Sequence, residues 1–177
     1  TAEEFGLGDD PEYASYDFQA PYNVDTPRRH RSMELAYAQT LPFSHEALRG
    51  ITVNTSYSRS YADARRGNLL PHRVTSSVGY SYKRFRGRAG VVWRDDTPDG
   101  SDINDITRFR RHDAKLDISG EFRLNKYATV FFSGRNIFNG GQTWMQGPAG
   151  ASEGQGAAVR VYENYGANWN FGVKGTF

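Results

Sequence analysis

The last nine residues, Trp169-Asn170-Phe171-Gly172-Val173-Lys174-Gly175-Thr176-Phe177, alternate apolar and polar to the end of the chain. Successive side chains of a β-strand point to opposite faces, so Trp169, Phe171, Val173 and Phe177 fall on one side and Asn170, Lys174 and Thr176 on the other. Only Gly175 leaves a gap in the apolar row. Such a strand suits a sheet with hydrocarbon against one face and water against the other, although a terminal Phe tucked into a soluble core would read the same way over this segment alone.

The pattern recurs from Arg31 onward, giving seven runs in all. Met33, Leu35, Tyr37 and Leu41 oppose Glu34, Ala36, Ala38 and Thr40, with Gln39 as an exception in the apolar row. Ile51, Val53, Thr55 and Tyr57 oppose Thr52, Asn54, Ser56 and Ser58; Val74, Val78, Tyr80 and Tyr82 oppose Thr75, Ser77, Gly79 and Ser81. A shorter run over 89–93 has less distinct faces. Then Leu116, Ile118 and Phe122 oppose Lys115, Asp117, Ser119 and Glu121, and Val130 and Phe132 oppose Thr129, Ser133 and Arg135, where Phe131 breaks the rule. The windows match a period of 2 rather than 3.6, and Thr, Val, Tyr and Phe favour strands. The second face is the informative one. A soluble sandwich covers its outer face with long charged side chains, whereas Ser, Thr, Asn and Gly suit a watery barrel interior.

Composition agrees with this reading. A hydrophobic content of 37% and a mean hydropathy of −0.72 exclude a helical membrane protein, and no stretch approaches the ~20 apolar residues of a spanning helix. A barrel sends only alternate residues to lipid, so its average stays polar while its aromatic content runs high; here there are 11 Tyr and 11 Phe. The connections also alternate. Segments 83–86 and 123–126 are short turns and 42–50 a somewhat longer one, whereas 61–73, 95–105 and 139–162 are longer still and rich in Gly, Asp and Arg. That is the asymmetry between the periplasmic and extracellular rims of an outer-membrane barrel. The expected fold is therefore all-β, an antiparallel meander of about seven strands forming part of a larger transmembrane barrel.

Residues 1–27 hold seven acids and no Lys or Arg, and read as a solvated, irregular extracellular loop segment ahead of barrel strands over 28–177. The formal charge of +2 hides −7 in this segment and +9 after it. The opening Thr1-Ala2-Glu3-Glu4 lacks a basic-then-apolar leader, and the chain is expected to be a processed piece or a portion of a longer protein.

The stretch Asp113-Ala114-Lys115-Leu116-Asp117-Ile118-Ser119-Gly120-Glu121-Phe122, its turn, and Val130-Phe131-Phe132-Ser133-Gly134-Arg135-Asn136-Ile137-Phe138-Asn139 resemble the last hairpin of TonB-dependent outer-membrane receptors. Those proteins commonly close a strand with an Asn-apolar-Phe-Asn/Asp cluster before a variable loop and a final strand ending in Phe. Asn68-Leu69-Leu70-Pro71-His72-Arg73 and Val92-Trp93-Arg94-Asp95-Asp96 are similar to parts of the preceding hairpins. The resemblance covers about residues 28–177. It implies uptake of a siderophore, cobalamin, glycan or similar solute, and a bacterial outer-membrane location. It implies contacts with lipid, with the barrel assembly machinery and, through a plug domain missing from this chain, with the TonB system. The chain has neither plug nor TonB box, and seven strands are a third of the ~22 in such a barrel. In the same family an aromatic-ended last strand is the assembly signal, which carries onto Trp169, Phe171, Val173 and Phe177.

Other chemistry finds little support. Four histidines, at 30, 45, 72 and 112, have no metal-ligand spacing; there is no cysteine, no nucleophile elbow and no phosphate-cradling loop. No catalytic residue, metal or cofactor is expected, and the chain is expected not to be an enzyme. The cluster Arg28-Arg29-His30-Arg31 at a strand's outer end fits anionic lipopolysaccharide or solvent better than nucleic acid, and Arg84, Arg86 and Arg88 read similarly at the inner rim. Trp144, Tyr162 and Tyr165, near the longest loop, are candidate contacts to a solute, against the plainer reading as interfacial aromatics. A small structural or pore-forming outer-membrane barrel, or a soluble barrel binding a ligand inside, are the alternatives; the latter turns its apolar side chains inward.

Overall fold

A computed structural model describes Gly6, Glu12 and residues 29–62, 70–99 and 106–175. The acidic opening segment, apart from those two residues, and Phe177 lie outside the described residues. Eleven strands are present among them: β1 His30–Thr40, β2 Ile51–Ala62, β3 His72–Tyr82, β4 Phe85–Arg94, β5 Thr97–Pro98, β6 Ile106–Arg110, β7 Asp113–Arg123, β8 Ala128–Arg135, β9 Gln142–Pro148, β10 Ala158–Glu163 and β11 Asn168–Gly175.

Seven of them form one antiparallel sheet in the order β1-β2-β3-β4-β7-β8-β11, and these are the seven runs read from the sequence. Because the order is a meander, its connections fall alternately on two rims. One rim carries the turn with the short 3₁₀ helix Glu46–Leu48, the two-residue turn 83–84 and the turn 124–127. The other carries segments 63–71, 95–112 and 136–167.

The register runs unbroken across the sheet, so residues directly opposite share a face. One row reads Gln39-Val53-Val78-Ala89-Ile118-Gly134-Trp169, and the row nearest the short turns reads Tyr82-Phe85-Phe122-Val130-Val173. Rows of the opposite face read Ala38-Asn54-Ser77-Gly90-Asp117 and Thr40-Thr52-Gly79-Arg88-Ser119-Ser133-Asn170. Tyr37, Val53, Tyr80, Leu116, Val130 and Val173 thus share one face, and Glu34, Asn54, Ser77, Asp117 and Lys174 the other.

The exceptions in the sequence pattern acquire causes. Gln39, on the apolar face, accepts a hydrogen bond from the Tyr37 hydroxyl. Phe131 belongs to the polar face, where its ring lies over Gly172 so closely that a Cβ there would sit 2.5 Å from it; the Lys174 ammonium rests 5.1 Å from the ring centroid. On the apolar face Trp169 covers Gly134 in the same way, with a Cβ at 134 falling 2.8 Å from the indole. Rings laid over cross-strand glycines fill the gaps those glycines leave.

Two of the long connections are not the plain loops the sequence suggested. β5, β6, β9 and β10 form a second sheet in the order β10-β9-β6-β5 on the long-loop rim. The only buried apolar side chains among the described residues, Phe109 and Met145 at 6% exposure each, lie directly opposite one another in it. The large sheet therefore has no dry core of its own. Among the described residues no helix is long and apolar enough to cross a membrane, which says nothing of crossing by strands.

Candidate functional site: a polar sheet face and a loop-built sheet

The polar face of the large sheet presents hydroxyls and paired charges. Ser77, 5% exposed, accepts a hydrogen bond from the Arg88 guanidinium at 3.2 Å. Glu121 receives Arg86 at 3.7 Å and Lys174 at 3.4 Å, and Lys115 meets Asp113 at 3.7 Å. Ser77, Arg88, Asp117, Ser119, Ser133 and Arg135 line a shallow trough of about 400 Å³. Alternation places these side chains together: each comes from the even or odd set of its strand that faces away from the apolar rows. The trough offers donors and acceptors of both signs, which suits a hydrated polar solute or polypeptide surface.

The second sheet ties the two longest connections to each other. β6 pairs with β9 from Ile106↔Pro148 to Arg110↔Trp144, and Thr107 Oγ1 accepts from the Gly150 amide at 2.9 Å. The turn around Glu153 docks on the start of β7: Arg111 meets Glu153 at 2.6 Å, while His112 Nδ1 lies 3.0 Å from Asp96 and 3.8 Å from Glu153. Because Arg111 occupies the Glu153 carboxylate, the cluster is an ion-pair network. No group of three or more side chains able to hold a metal ion occurs among the described residues. The buried Nε atoms of Arg108 and Arg110 and Oδ1 of Asp113 have no hydrogen-bond partner among the described residues. Sequence reading missed this network because its members come from three separated segments with no local motif.

The structure distributes the sequence candidates rather than gathering them. Trp144 on β9 lies opposite Arg110 and Val161, whereas Tyr162 on β10 lies opposite Thr143 and so faces the other way. Tyr162 covers Gly141. Tyr165, 81% exposed, donates its hydroxyl to Glu163 at 3.2 Å, and that hydrogen bond, then the carboxylate's charge, raises the phenol above its ordinary pKa. Trp169, Phe171 and Val173 stand on the apolar face of β11, with Trp169 and Phe171 stacked at 6.2 Å between centroids. The histidines are dispersed: His72 shares a 2.7 Å hydrogen bond with Tyr57, and His45 accepts from the Ala47 amide to cap the 3₁₀ turn.

The Asn136-Ile137-Phe138-Asn139 cluster is a loop clamp. Asn136 and Asn139 both take φ of +53°, a region in which Asn is enriched. The Asn136 amide donates to the carbonyls of Gly140 and Gly166 at 3.0 and 3.2 Å and accepts from the Gly140 amide at 3.1 Å, joining the two ends of the 136–167 connection. Its backbone amide donates to Asp117 Oδ1 at 2.9 Å, fixing the clamp to β7. Compared with known proteins, the chain matches no family model, no characterised relative and no solved structure.

Proposed function

We propose that this chain is a wall segment of a bacterial outer-membrane β-barrel, the C-terminal barrel portion of a TonB-dependent receptor. In that role it lends lumen surface and extracellular loops to the uptake of a siderophore, cobalamin, glycan or similar solute, without enzymatic activity. One observation carries the membrane reading. All nine large apolar side chains exposed on the seven-stranded sheet (Met33, Leu35, Tyr37, Tyr61, Val78, Phe122, Trp169, Phe171 and Val173) lie on a single face. Leaving such a side chain in water forfeits ~1.5–3 kcal/mol each, so a face of nine asks for an apolar medium. Five of the strands, 10–12 residues long, suit a ~25 Å band when rising ~3.3 Å per residue at a ~45° tilt, and the eight residues each of β8 and β11 cover ~19 Å of it. The family assignment rests on the hairpin and Asn-Ile-Phe-Asn resemblance, and with it the plug, TonB and assembly-machinery partners.

These 177 residues contain no cysteine, so single-cysteine scanning, in a background freed of any cysteine elsewhere in the full protein, is the direct test. In the full protein in native outer membranes, cysteines replacing Val53, Val78, Leu116 and Val173 should resist an aqueous maleimide, and a fluorophore placed there should be quenched by lipid-borne quenchers. Cysteines at Asn54, Asp117 and Asn170 should react. Equal labelling of both sets would end the membrane reading. Solute uptake that survives dissipation of the proton-motive force would leave the membrane barrel but replace the receptor with a pore.

A further inference from the structure

The corner of the large sheet at the short-turn rim combines an apolar groove with a row of cations. Phe85, Phe122, Val130, Phe132, Phe171 and Val173 line a groove of about 510 Å³ on the apolar face, within the ~300–1,000 Å³ of pockets that take small ligands. Phe171 and Val173 are 70% and 68% exposed. The groove lies in the last two apolar rows, and immediately beyond them come the turns 83–84 and 124–127. These turns are fastened together, for the Arg84 guanidinium donates to the Leu124 carbonyl at 2.9 Å and the Arg123 amide to the Arg84 carbonyl at 2.9 Å. The Lys83 ammonium lies 4.9 Å from the centroid of Tyr82, itself on the apolar face, and the Lys126 ammonium 4.7 Å from that of Tyr127.

This rim is strongly one-signed. The turn segments 42–50, 83–84 and 124–127 carry four Lys or Arg, at 49, 83, 84 and 126, against one acid, Glu46. Arg86 and Lys174 already engage Glu121. Cations carried on the turns that edge an apolar groove suit an amphiphile with a negative head. We propose that this corner binds an anionic phospholipid, one acyl chain lying in the groove and the phosphate on Lys83 and Lys126. A second copy of the chain fits less well. Two copies inserted the same way would set these cationic rims side by side, and like charges across a contact oppose it.

The inference rests on the membrane reading and is tested so that the two can fail separately. The full protein is inserted into vesicles of phosphatidylethanolamine and phosphatidylglycerol, insertion is scored by protease protection, and bound lipid is then counted by native mass spectrometry. Phosphatidylglycerol should be retained in preference to phosphatidylethanolamine. Each of the exposed-rim substitutions Lys83→Gln and Lys126→Gln should lower that preference by about fivefold, and the pair by about 25-fold. Val173→Trp, which fills the groove, should reduce retention of both lipids. An inserted protein whose headgroup preference is absent, or unchanged in the double variant, overturns the lipid site and leaves the membrane wall standing. A lipid-free dimer abolished by Val173→Trp would assign the groove to a second copy instead. Failure to insert removes both readings.

Discussion

Val78→Arg separates a lipid-facing sheet from a water-facing one by magnitude. Val78 is the seventh of the 11 residues of β3, close to the midpoint of the strand, in the apolar row between Val53 and Ala89, and it is 49% exposed. If that face meets water, an arginine replaces a half-exposed valine on a surface, and such changes stay within about ±0.5 kcal/mol. If it meets hydrocarbon, an arginine at the midplane of a transmembrane barrel costs ~2–4 kcal/mol, a ~30- to 1,000-fold loss in the folded population. The matched control is Asn54→Arg. Asn54 occupies the adjacent row at the same depth but on the polar face, exposed, in the row that ends at Asp117, and its replacement should change stability by less than about 0.5 kcal/mol. Both variants of the full protein are unfolded from phosphatidylcholine vesicles with urea and followed by tryptophan fluorescence. A Val78→Arg cost no larger than that of Asn54→Arg would refute the assignment of the apolar face to lipid, whatever the absolute stabilities.

Four further outcomes follow from single sites. Gly134→Val drives a side chain into Trp169 and Ile137 and should cost ~1–3 kcal/mol by overpacking, with a shifted Trp169 emission in the folded protein. Asn136→Ala removes the hydrogen bonds to Gly140 and Gly166 and places alanine at φ +53°; limited proteolysis should cut the 136–167 connection faster while β1–β4 stay protected. The Tyr165 phenol is raised above its usual ~10 by the hydrogen bond to Glu163 and then by that carboxylate's charge. A raised value favours the neutral, hydrogen-bonded form, so the contact persists below the ordinary tyrosine range and is lost as pH rises through the raised value; Glu163→Gln should lower the phenol's titration at 295 nm. Deleting Phe177 from the full protein should slow outer-membrane insertion while leaving the inserted barrel stable. Normal insertion followed by faster unfolding would instead make Phe177 an interfacial anchor.

The large sheet was legible because strand alternation is a local signal. Tyr37, Val53, Tyr80, Leu116, Val130 and Val173 each declare their side from neighbours two residues away, and a continuous register carries the assignment across all seven strands. One departure has a local cause, Tyr37 holding Gln39 two residues on; the other, Phe131 laid over Gly172, becomes visible only once β8 and β11 are paired.

The second sheet was not legible for the opposite reason. β9 contains Gly147 and Pro148, which mark loops in a sequence read alone, and its strand character comes from β6, more than thirty residues earlier. Ala158-Val159-Arg160-Val161-Tyr162 did carry an alternating signal, yet a bulge between Val159 and Val161 breaks its register against β9. Proximity in sequence grouped Trp144, Tyr162 and Tyr165 as one contact surface; pairing turns Trp144 and Tyr162 to opposite faces. The same pairing gives the resemblance a physical content. Asn136 was a motif letter in sequence, and only the return of the chain at Gly166 makes it the clamp that holds a 136–167 connection, with its buried Met145, against the wall it leaves and re-enters. A connection braced at its root and stiffened by β-pairing can present a fixed surface at the rim while the sheet below it stays a plain meander.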